Sequence, residues 1–157
     1  MSPQPTDPPA SEPVNATDPD GPWYRDGLRF ECTQCGRCCG GAPGFVWVSL
    51  EEVQRLRQAT GLADRPDEFD QLHLRQIGTR LSLKEFGNGD CVLLDRETRR
   101  CRVYEARPTQ CRTWPFWDSC VETPESWQQT AEHCPGCNNG PLYSIQLIEA
   151  NRLKRSL

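Results

Sequence analysis

The stretch Phe30-Glu31-Cys32-Thr33-Gln34-Cys35-Gly36-Arg37-Cys38-Cys39-Gly40-Gly41 decides how the rest of this chain is read. Four thiols fall within eight residues at the spacing C-x-x-C-x-x-C-C, with three glycines packed around them. A run this dense cannot bridge to itself without strain, because a disulfide needs Cα atoms roughly 4.4–6.8 Å apart in a set orientation. A metal ion or an iron–sulfur core is less demanding, since it takes thiolates from a tight loop and from distant strands alike. The glycines permit φ > 0 and let backbone N–H groups approach bound sulfur. Six more cysteines follow, Cys91, Cys101, Cys111, Cys120, Cys134 and Cys137. The pattern is that of a cysteine-ligated metal module.

Outward toward the N-terminus, residues 1–22 hold seven of the 14 prolines, four acids and no Lys or Arg. Such a segment buries too little apolar surface to offset its chain entropy, and it is read as a disordered tail on one domain, residues 23–157. The tail carries four of the 22 acids, which leaves 18 acids against 18 bases in the body. A neutral body argues against nucleic acid or an anionic membrane as partner. The basic sets at Arg96, Arg99, Arg100, Arg102 and at Arg152, Lys154, Arg155 read as solvated or helix-capping positions. No run is long enough to span a bilayer, and no basic segment leads into an apolar one as in a signal peptide. The expected compartment is a reducing cytoplasm, where many cysteines favour metal. The competing class, a secreted disulfide scaffold, has only the even cysteine count behind it.

Trp23–Phe30 reads as a hairpin turning at Asp26-Gly27, its second strand feeding the cysteine loop. Phe45–Val48 reads as a strand, and Ser49 with Glu52 as a capping box opening a helix through about Gln58, with Leu50, Val53 and Leu56 inward and Gly61 closing it. A second helix follows Pro66, opened by Asp64. From His73 to Tyr104 the chain reads as β, with Cys91–Leu94 and Cys101–Tyr104 as paired strands. Thr123-Pro124-Glu125 opens a helix to about His133, Pro135-Gly136 forces a turn, and Leu142–Leu157 reads as a terminal helix. The expected fold is small α+β: short antiparallel hairpins around a metal centre, with two or three helices outside.

Three separated motifs now resemble a known family. They are Cys32-x-x-Cys35-Gly36-x-Cys38-Cys39, then Cys91 with Cys101-x-Val103-Tyr104-x-x-Arg107-Pro108-x-x-Cys111-Arg112-x-Trp114-Pro115-Phe116, then Cys134-Pro135-Gly136. Together they resemble the YkgJ-like CxxCxxCC cysteine-cluster family, a resemblance that implies chelation of zinc or iron over roughly residues 28–140. It implies Cys32, Cys35, Cys38, Cys39, Cys91, Cys101, Cys111 and Cys134 as ligands, enough for two four-thiolate sites or for one site and a reserve. Adjacent Cys38 and Cys39 are expected to diverge. Part of the pattern also resembles flagellin lysine methylases, which implies an iron–sulfur-linked methyl transfer. No SAM-binding glycine signature accompanies it here, and that activity is not carried over.

Thiols at successive intervals of three suit a cluster loop, whereas structural zinc usually takes two paired CxxC or CxxH units. An iron–sulfur centre is therefore favoured over zinc. Arg107 and Arg112 flank Cys111 and are expected at the cofactor, either lowering thiolate pKa or offsetting a negative cluster. The alternative for them is an ion pair with Glu105 or a neighbouring acid. Trp114–Trp117 is expected to cover the site. Cys120 and Cys137 are open between ligand and buried thiol, His133 is better placed on a helix surface than as a ligand, and His73 is structural. No GxSxG, HExxH, P-loop or GxGxxG is present, so an enzyme is neither named nor excluded. Metal ions and an unidentified protein are the expected partners.

Overall fold

A computed structural model describes residues 20–155. Most of the segment read as a disordered tail lies outside the described residues. The elements are β1 (Leu28–Phe30), β2 (Trp47–Val48), α1 (Leu50–Ala59), α2 (Pro66–His73), β3 (Leu74–Ile77), β4 (Arg80–Leu83), α3 (Thr109–Arg112), α4 (Asp118–Val121), α5 (Pro124–His133), β5 (Cys137–Tyr143) and α6 (Ile145–Arg155). The fold is α+β, with six α-helices and two small antiparallel sheets among the described residues. Among the described residues, no helix is long and apolar enough to cross a membrane.

Local chemistry sets the helix starts. Ser49 Oγ accepts from Glu52 N–H at 3.2 Å and the Glu52 carboxylate accepts from Ser49 N–H at 2.8 Å, the reciprocal box the sequence predicts. Thr123 Oγ1 likewise accepts from Ser126 N–H at 3.1 Å, with Pro124 at the first helical position. The second helix starts at Pro66, but its cap is Arg65 rather than Asp64.

The β readings need more correction. Asp26-Gly27 does not close a hairpin; Gly27 N–H bonds back to Tyr24 O at 2.8 Å, and β1 pairs instead with β5, Arg29 opposite Leu142. Leu142 is therefore a strand residue, and the last helix begins at Ile145. The helix α4 had no counterpart in the sequence reading. Leu50 is 73% exposed and leaves the inward face of α1 to Val53 and Leu56. Residues 91–104 form turns with single bridges, Glu85 to Cys91 and Leu94 to Cys101, in place of two strands.

Apolar side chains gather in two cores. One holds Leu28, Phe30, Phe116, Val121, Trp127, Ile145 and Ile148, between the β1–β5 ribbon and helices α4, α5 and α6. The other holds Val53, Leu56, Phe69, Leu74, Leu83, Leu93 and Val103, under the β2-β4-β3 sheet. Full burial of a side chain such as Phe69 contributes about 1.5–3 kcal/mol. Cys32 and Cys134 pack on the first core, Cys91 and Cys101 on the second. The thiols therefore occupy the seam.

Candidate metal centre

Four chain segments bring sulfur to that seam. Cys38 and Cys39 ride a single 3₁₀ turn, Arg37–Cys39, entered through Gly36 at φ 71°. Cys91 N–H donates to the Cys39 carbonyl at 2.7 Å, which docks the cysteine loop on the following hairpin. Arg99 reinforces the dock with two bonds to the Asp90 carboxylate, at 2.6 and 3.1 Å. Cys101 returns beside Leu94 through its bridge and the 3.0 Å bond from Arg102 N–H to Leu93 O. Cys111 sits in α3, whose Thr109 N–H donates to Glu52 at 2.7 Å and so seats this short helix on α1. Cys134 ends α5, and Arg37 reaches the neighbouring His133 carbonyl at 3.4 Å.

All ten cysteines are free thiols. Cys38, Cys39, Cys91, Cys101, Cys111 and Cys134 form a set of six that act on one another; Cys137 joins it through Cys134, and Cys120 through Cys137. Cys38 and Cys39 are hydrogen-bonded side chain to side chain, which holds the Cys38 thiol down to about 7 and pushes Cys39 up. Charge on Cys101 and Cys111 also acts on Cys39, and charge on Cys134 acts on Cys38. Burial pushes up Cys91, Cys101 and Cys111, and the neighbouring sulfurs push each further. The ionised form of this set is thus opposed by desolvation and by mutual repulsion.

Cys32 packs on the same core as Cys134. Its sulfur bonds the Tyr104 side chain and accepts from Gln34 N–H at 3.4 Å. Cys35 is half-buried in the same loop. Cys134 is held down to about 5, first by a hydrogen bond from the Cys137 thiol and, against burial, by the Trp114 indole and the turn's N–H groups. The Trp114 N–H is buried without a hydrogen-bond partner at full bonding distance, and its nearness favours the ionised Cys134 sulfur.

The two arginines separate. Arg107 lies over the Tyr104 ring, 3.7 Å from its centroid, and its charge favours the thiolates of Cys38, Cys101 and Cys111. Arg112 takes the other side of α3, where it lines an open cleft of about 1170 Å³ with Trp47, Gln110 and Arg152. Phe116 is a core residue, stacked near Trp127, and Trp114 acts on the Cys134 sulfur. His133 is exposed and bonds Gln129 O at 3.0 Å, while His73 stacks on Phe69. Tyr104 lies within the second motif, and its contact with Cys32 is a site feature that the motif spacing does not reveal.

The donor set fits a thiophilic metal. Soft, thiolate-only surroundings suit zinc or iron–sulfur rather than magnesium or calcium. A cation would reverse the repulsion that now opposes ionisation of these sulfurs. Among the described residues, no three Cys, His, Asp or Glu side chains stand closed around one point at ligand spacing. The thiols are gathered but not locked.

A family model named CxxCxxCC, described as a "Putative zinc- or iron-chelating domain", matches residues 31–135, more than half of the chain. An uncharacterized protein of Methanocaldococcus jannaschii is 33% identical over 97 residues. That alignment covers 59% of this chain and 48% of the relative, so the chain spans about half of the relative's length. No solved structure matches.

Proposed function

Because the chain belongs to the CxxCxxCC family of zinc- or iron-chelating domains, we propose that it is a metal-binding protein whose centre is built by Cys38, Cys39, Cys91, Cys101, Cys111 and Cys134, with Cys32 and Cys35 completing the donor set. The observation that carries this reading is the meeting of sulfurs from the N-terminal loop with those of positions 91–134, through the bonds and charges that link Cys38 and Cys39 to Cys101, Cys111 and Cys134. Iron–sulfur is the favoured occupant. An iron–sulfur core bound to thiolates carries net negative charge, and Arg107 and the Trp114 N–H supply the positive charge and the donor that would offset it. When bound, such a group supplies electron transfer. The chain's own part is to hold the thiols, shield them with Trp114 and place one guanidinium beside them.

A reducing cytoplasm suits ten free thiols. Redox work, metal handling or service to an enzyme all remain within this role, with an unidentified protein as partner. Purification without oxygen, followed by iron, zinc and acid-labile sulfide analysis per chain, tests it. Iron with sulfide and a brown absorption supports the iron–sulfur reading. Stoichiometric zinc in a colourless protein replaces it with a zinc-stabilised interaction module. Protein that binds neither metal, freshly purified or after reconstitution, overturns the chelation role. In the same assay Cys101→Ser should lose the metal and Cys120→Ser should keep it.

A further inference from the structure

Cys137, like Cys120, fits the cysteine-cluster pattern less clearly than the other thiols, and the structure sets it beside one member of the six-thiol set, Cys134. Its N–H donates to the Cys134 carbonyl at 3.1 Å and closes the turn Cys134-Pro135-Gly136-Cys137. Such a turn holds its end Cα atoms within about 7 Å, the range in which two cysteines can be bridged. Within that turn the two thiol side chains interact directly.

The turn is fixed on three sides. Glu31 N–H donates to the Gly136 carbonyl at 3.1 Å, and a Cβ at Gly136 would overlap the Glu31 carbonyl oxygen. Cys137 is in register with Phe30 across the β1–β5 ribbon. Asn139 Nδ2 donates to Pro135 O and to Cys137 O, each at 3.1 Å. Exposure is unequal: Cys134 is half-buried, while Cys137 is 4% exposed. That is the asymmetry of a thiol reachable by an outside disulfide and a thiol reachable only by its neighbour.

We propose that Cys134 and Cys137 form a dithiol–disulfide exchange site whose substrate is a low-molecular-weight disulfide. The Cys134 thiolate attacks one sulfur of the external disulfide, the S–S bond breaks, and one thiolate leaves and takes a proton from solvent. The Cys137 sulfur, giving its proton to solvent, then attacks Cys134 Sγ and expels the second thiolate. Two thiols of the chain are oxidised by two electrons, and one external disulfide is reduced to two thiols. Because Cys134 also faces Cys38, oxidation withdraws one sulfur from the metal centre; this consequence, unlike the exchange itself, rests on the chelation reading.

The test equilibrates the full chain, purified without oxygen, against glutathione and glutathione disulfide, with and without prior chelation. Quenching, alkylation and peptide mass analysis then map the bonds. A Cys134–Cys137 disulfide should form in the chelated chain before any other pair, and Cys137→Ser should stop at a glutathione adduct on Cys134. Cys120→Ser should leave the result unchanged, although Cys120 acts on Cys137 electrostatically. A chelated chain whose residues 134 and 137 stay alkylatable at every ratio, or which joins Cys137 to Cys120 instead, overturns the proposal. In the loaded chain, metal loss with disulfide formation, or protection of the pair by the metal, supports both the exchange site and Cys134 as ligand. A disulfide formed with the metal retained keeps the exchange site and removes Cys134 from the centre.

Discussion

Gly36 shows how much of the site hangs on one residue. It lies at φ 71°, and a Cβ there would overlap the Arg99 carbonyl oxygen and press on Leu94 Cδ1. Gly36→Ala should therefore cost about 1–3 kcal/mol, read as a lower denaturant midpoint at unchanged slope. Arg107 and Arg112 carry the converse lesson. In sequence they flank Cys111, Arg107 four residues before it and Arg112 directly after it, and that spacing does not say which of them faces the thiols. Arg107 precedes Pro108 and folds back on Tyr104, its Nε donating to the Tyr104 carbonyl at 2.8 Å, whereas Arg112 follows α3 outward. Arg107→Gln should weaken metal affinity by about 10–100-fold in a competition titration against a chelator, the range seen when groups supporting ligands are removed. Arg112→Gln should change it little.

Among the elements, α1 is the one the sequence describes best, because its capping box is written within four residues. Ser49→Ala should cost about 1 kcal/mol by denaturant unfolding. Glu52 does more than cap, since its two oxygens accept from Ser49 N–H and from Thr109 N–H and so join α1 to the short helix bearing Cys111. Burial raises this carboxyl, but the N–H donors of Ser49 and Thr109 outweigh it, and the folded value lies below the ordinary one. A depressed carboxylate contributes stability above the unfolded pKa, about 4.3, and loses it as pH falls through the lowered folded value. Wild-type stability should therefore fall below about pH 4.5 more steeply than that of Glu52→Gln, measured by denaturant midpoints across that range. The strand β5 is the opposite case. Leu142 looked like the start of an amphipathic helix, and only its partner Arg29, far back in the chain, makes it a strand residue.

Across the whole molecule, two modest cores meet where Cys32 and Cys134 pack on one side and Cys91 and Cys101 on the other. A metal held there would staple the halves. Its binding free energy is then folding free energy, about 4 kcal/mol at a thousandfold excess over Kd. Chelation should lower Tm by on the order of 10 °C in differential scanning calorimetry and separate the melting of the two cores. An identical Tm for apo and loaded protein would remove the metal from the fold's support.

What the chain wrote into its order of residues was everything settled within a turn or two: the capped starts of α1 and α5, the Pro135-Gly136 turn, the CxxCxxCC loop and, through its three motifs, the family. What only the folded chain decided was non-local. It paired β1 with β5, turned residues 91–104 into bridged loops, sent Arg107 inward and Arg112 outward, and brought Cys38 of the N-terminal loop to Cys134. Hydrogen bonds between near neighbours are fixed by backbone geometry that the sequence states directly. Which sulfur faces which depends on how two apolar cores close over the seam, and no short stretch of the chain contains that information.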